Sequence, residues 1–163
     1  MNVKMMRDFA DDAEHEDYEV EVKNLTEDSK FNWSIDQSKY IAGLQAAGDT
    51  ACIPYLRPKM SVKMFEIVHQ SAKLGPEYAE QISSVDFTED EAAVVLYGYT
   101  KEFNIFEQMK EGEDPENLRM LIDLVQIPDI DLSEFFDEEG AYVKYDLVRK
   151  RIEQERNGNI LHN

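Results

Sequence analysis

The stretch FTEDEAAVVLYGY, Phe87–Tyr99, opens on an acidic run and closes on a glycine set between two tyrosines. Thr88 sits where a helix N-cap belongs, because a hydroxyl there accepts a hydrogen bond from a free N–H of the first turn. Glu91, three residues on, completes a capping box. Val94, Val95 and Gly98 follow at the i, i+1, i+4 spacing of one helix face. Stepping by 27 residues from Phe87 meets Trp33 and Met60 behind it and Asp114 ahead. The cap column reads Ser34, Ser61, Thr88, Pro115, with Asp114 capping the fourth block and Pro115 at its first helical position. Gln37 matches Glu91 as a capping-box partner.

Two adjacent columns carry the helix face: Tyr40, Ile67, Val94, Leu121, and Ile41, Val68, Val95, Ile122. Later columns are Ala51, Tyr78, Ile105, Leu132, and Tyr55, Ile82, Met109, Phe136. Four blocks keep register without an insertion, the signature of repeated supersecondary units. Gly48 and Gly75 fall one period apart, just past the helix, where a C-terminal cap favours positive φ. Gly98 replaces the larger residues Leu44 and Val125 and predicts close approach of a neighbouring element. Each block therefore predicts a helix of about three to four turns, a break and a short second apolar element. Those second elements, ACIPYL, EYAEQI, NIFEQM and IDLSEFF, fit one or two helical turns or short extended segments.

The expected fold is mostly α: four stacked short helical repeats over 31–136, α-solenoid-like because such units bury their faces on one another. An acidic leader, 1–30, precedes them, and a C-terminal capping helix and tail, 137–163, follow. In the leader, Asp17–Leu25 alternates Tyr18, Val20 and Val22 with charged residues, which fits a strand or a disordered segment. AYVKYDLVRKRIEQERNGNI predicts the terminal helix, with Val143, Leu147, Val148 and Ile152 on one face and Asn-Gly as its stop.

Charge is the strongest compositional signal: 35 acidic against 17 basic residues, a net of −18. Between Arg7 and Asp28 ten acids face two bases, and between Glu111 and Glu139 eleven acids face one; the remainder balances. Such a distribution disfavours direct binding to nucleic-acid phosphates, which needs clustered Lys and Arg. It fits either solubility or a binding role. A single cysteine, Cys52, excludes an intrachain disulfide and suggests a reducing cytoplasm. No apolar run is long enough to span a membrane, and the N-terminus lacks the apolar core of a signal peptide.

The third block, with Phe87, Thr88, Val95, Gly98, Tyr99, Asn104 and Ile105, resembles short helical repeats found in tandem in proteins of phages and conjugative elements of low-GC Gram-positive bacteria. The first block keeps Ser34, Gln37, Ile41 and Asp49 of that pattern, and the fourth departs most. The resemblance covers about residues 31–136. It implies a helical array and a mobile-element origin, and its motifs are structural rather than catalytic. Mobile elements encode small acidic proteins that block host nucleases, so an anti-CRISPR-like inhibitor is the class it implies.

No enzyme constellation has the required spacing: there is no phosphate-binding loop, no His-Glu-x-x-His and no Gly-x-Ser-x-Gly. Glu66 and His69 share the i, i+3 spacing of di-iron ligands but lack a second copy, leaving a surface pair. The acids around His15 lack the ligand spacing of a calcium loop. Cys52 is expected to be a buried structural thiol.

The expected function is non-enzymatic, without cofactor or metal: an inhibitor that acts as a DNA mimic. Its acidic surfaces would occupy the basic groove of a host nuclease or DNA-binding protein. Its partner-binding residues would be Asp11, Asp12, Glu14, Glu16 and Asp17 in the leader. In the acidic stretch Glu111–Glu139 they would be Glu113, Asp114, Asp129, Asp131, Glu134, Asp137, Glu138 and Glu139. The alternative is a repeat adaptor that binds a protein through Tyr97, Tyr99, Phe103 and Phe106, residues that also suit a core.

Overall fold

A computed structural model describes residues 32–140 and 142–162. The leader strand at Asp17–Leu25 and the five leader carboxylates lie outside these residues. Among the described residues the chain is mostly helical, with seven α-helices and two short 3-10 turns. The helices are α1 (Ile35–Ala47), α2 (Val62–Leu74), α3 (Pro76–Ser83), α4 (Glu89–Thr100), α5 (Phe106–Lys110), α6 (Pro115–Val125) and α7 (Tyr145–His162). The 3-10 turns are Ile53–Tyr55 and Leu132–Phe135. The second apolar element of each block is thus helical, not extended.

The predicted caps form. Ser34 Oγ accepts from the Gln37 N–H at 3.1 Å, and Gln37 Oε1 accepts from the Ser34 N–H at 2.8 Å. Ser61 Oγ accepts from the Met64 N–H at 3.1 Å. Thr88 and Glu91 repeat the reciprocal box at 3.1 and 2.9 Å. Asp114 accepts from the Glu116 N–H at 2.8 Å, with Pro115 opening α6. Each cap satisfies a first-turn donor and contributes about 1 kcal/mol.

The chain divides into two compact units between Ala92 and Ala93, within α4. In the first, α2 packs on α3 and touches α1, and α3 meets the Ile53–Tyr55 turn. Phe65 is fully buried there, with edge-on contacts from Trp33 and Tyr40 at centroid distances of 5.9 and 5.8 Å. Gln37, itself buried, holds the approach to α2: its Nε2 donates to the Pro58 and Met60 carbonyls, each at 2.8 Å. In the second unit α6 packs on α7 and touches α5. Its core includes Ile105, Met109, Leu118, Ile122, Val148 and Ile152.

The helix-face column is uniform: Ile41, Val68, Val95 and Ile122 all show no exposed surface. Ala51, by contrast, is exposed, because it precedes the Ile53–Tyr55 turn whose buried residues are Cys52 and Ile53. Gly48 ends α1 in the left-handed region at φ 71°. Gly75 does not: its φ of 170° is ordinary extended backbone. Pro76 follows it and disfavours the helical region for the residue before a proline. One period beyond Gly75 stands Glu102 at φ 61°, and one further Asp129 at φ 60°.

The terminal helix differs at both ends from its expected span. It starts at Tyr145, because Val143 is drawn into an antiparallel bridge with Phe136. It runs through Asn157 and Gly158 to His162, so Asn-Gly does not stop it. Val148 and Ile152 are buried as expected, but Leu147 is 39% exposed.

Candidate functional site

The second unit gathers every described residue of the predicted acidic surface. Glu113, Asp114, Asp129, Asp131, Glu134, Glu138 and Glu139 are exposed, and Asp137 is half-buried. They divide into two kinds. Asp114 caps α6, and Asp131 caps the Leu132–Phe135 turn. Asp131 accepts from the Ser133 N–H at 3.1 Å and from the Ser133 hydroxyl at 2.7 Å. Those bonds hold its carboxyl below the usual carboxylate range. Asp137 shapes the hairpin closed by the Phe136–Val143 bridge: its N–H donates to the Tyr142 carbonyl at 2.9 Å, and its Oδ1 accepts from the Tyr142 N–H at 3.3 Å. Gly140, at φ 72°, turns that hairpin. Glu113 accepts from the Tyr145 hydroxyl at 3.4 Å, and burial together with Glu113 pushes that phenol up to about 12.

Asp129, Glu134, Glu138 and Glu139 are different. Among the described residues none of them takes part in an ion pair or a side-chain hydrogen bond. Ser133, Phe136, Asp137, Glu138, Glu139, Gly140 and Lys144 line a surface depression of about 660 Å³. Tyr142, 74% exposed, lies on the same hairpin.

The only base within Glu111–Glu139 is Arg119. Its guanidinium lies 4.4 Å from the Tyr97 ring centroid, with Lys101 Nζ at 5.7 Å. The Tyr97 hydroxyl donates to Asp123, which raises its pKa. Tyr99 and Phe106, named above as contact residues for an adaptor, are buried and belong to the core. Tyr97 and Phe103 are half-buried.

The first unit holds a polar cluster that sequence spacing does not reveal. His69 pairs not with Glu66 but with Asp49, Nε2 to Oδ2 at 2.6 Å, and its Nδ1 lies 3.3 Å from the Tyr40 hydroxyl. The partners stand 20 and 29 residues away, so neither an i, i+3 nor an i, i+4 pattern points to them. His69 lowers the Asp49 pKa through this bond. Burial, with smaller effects from Cys52, Glu66 and Asp49, pushes Tyr40 up to about 12. Cys52 is fully buried, as expected, and burial together with Asp49 pushes its thiol up to about 11. A thiol so disposed stays protonated near neutral pH and is a poor nucleophile.

Among the described residues, no group of three or more His, Cys, Asp and Glu side chains is arranged to hold a metal ion. No described helix is long and apolar enough to cross a membrane. Comparison with protein-family models, curated proteins and solved structures gives no match.

Proposed function

We propose that this chain is a non-enzymatic inhibitor of the kind carried by phages and mobile elements. Its second unit would present carboxylates to the basic nucleic-acid groove of a host nuclease or DNA-binding protein. The observation that carries this reading is the charge arrangement over Glu111–Glu139. Eleven acids face one base there, and that base is engaged with Tyr97. Among the described residues, Asp129, Glu134, Glu138 and Glu139 are exposed and take part in no ion pair. An uncompensated patch of one sign steers an oppositely charged partner and favours its docking.

We further propose that the four 27-residue blocks are copies of one helical unit. The caps at Ser34, Ser61, Thr88 and Asp114 support this. So does the shared burial of Ile41, Val68, Val95 and Ile122. The left-handed backbone at Gly48, Glu102 and Asp129, all in one column, supports it again.

Affinity capture from bacterial lysate tests the functional proposal, using the natural chain and a variant with Glu134→Lys, Glu138→Lys and Glu139→Lys. A basic nucleic-acid-binding protein held by the natural chain, released by DNA and lost with the variant, is the expected result. Capture of the same proteins by a folded variant overturns the reading.

A further inference from the structure

We draw no further inference here: the strongest candidate, the surface depression beside the Phe136–Val143 hairpin, lined by Phe136, Asp137, Glu138, Glu139 and Lys144, belongs to the acidic surface already described, and nothing in the structure shows what fills it.

Discussion

The Phe103 carbonyl passes over Gly98 so closely that a Cβ at Gly98 would stand 2.5 Å from its oxygen. Phe103 also donates its N–H to the Gly98 carbonyl at 2.9 Å, so the obstructing atom is backbone held in place. Ile105 and Ile122 side-chain carbons would lie 3.3 Å from the same Cβ. Gly98→Ala should therefore destabilise the chain by about 1–3 kcal/mol, the usual cost of forcing extra volume into a packed site. Gly158 supplies the control: nothing lies within 4 Å of its added Cβ, and it sits inside α7. Gly158→Ala should stabilise by up to about 1 kcal/mol through helix propensity alone. Denaturant melts of the two variants measure the contrast; equal effects would mean that the close approach is absent.

Glu102 closes α4 with the geometry that Gly48 gives α1. In both, the next residue donates back to the helix: Asp49 N–H to the Leu44 carbonyl at 2.9 Å, and Phe103 N–H to the Gly98 carbonyl at 2.9 Å. A glutamate at φ 61° carries a steric cost of about 1–2 kcal/mol that glycine avoids. Part of the gain on substitution is returned as unfolded-state entropy. Glu102→Gly should raise stability by roughly 0.5–1 kcal/mol, and Gly48→Ala should lower it by about 1 kcal/mol. Thermal unfolding of both variants checks the signs.

The helix starts and their buried face were legible because both are local: a hydroxyl before an acidic turn, and apolar residues at helical spacing. Ser34, Thr88, Val68 and Ile122 follow from such rules directly. The tertiary pairs were not legible. Gln37 reads as a capping residue, yet its amide also binds two carbonyls more than twenty residues away. Val143 reads as helical by spacing, but its bridge to Phe136 depends on the turn at Gly140. The acidic surface was visible as composition; its division into capping and unpaired carboxylates became visible only with the backbone in place.

The bond from His69 makes the stability contribution of the Asp49 carboxylate depend on pH. The bond lowers the folded-state pKa of Asp49, so its contribution is present above the unfolded carboxylate value of about 3.9. It disappears as pH falls through the depressed folded value. Asp49→Asn should therefore be less stable than the natural chain at neutral pH and converge with it in acid. Cys52 gives a second readout, since its fully buried thiol is labelled only when the segment opens. At neutral pH both Asp49→Asn and His69→Ala should speed thiol labelling, whereas Glu66→Ala, which removes the sequence neighbour but not the partner, should not.

Charge and structure separate cleanly at Asp131 and Glu134. Asp131→Ala removes both bonds to Ser133 and should cost about 1 kcal/mol. Asp114→Ala should do the same at α6, with Asp114→Ser recovering most of the loss. Glu134→Ala, Glu138→Ala and Glu139→Ala break no bond among the described residues and should leave stability within about 0.5 kcal/mol. A charge reversal that includes Asp131 or Asp137 would confound lost binding with a loosened hairpin, and one that includes Asp129 would put a lysine in left-handed backbone at φ 60°; one confined to Glu134, Glu138 and Glu139 avoids both. For a captured basic partner, affinity should fall steeply as salt rises, because exposed charges more than about 10 Å apart are screened at 0.1 M ionic strength. The reversed variant should lose both the affinity and its salt dependence while its far-ultraviolet circular dichroism and melting transition stay unchanged. Binding that ignores salt and survives the reversal would place the contact elsewhere on the chain.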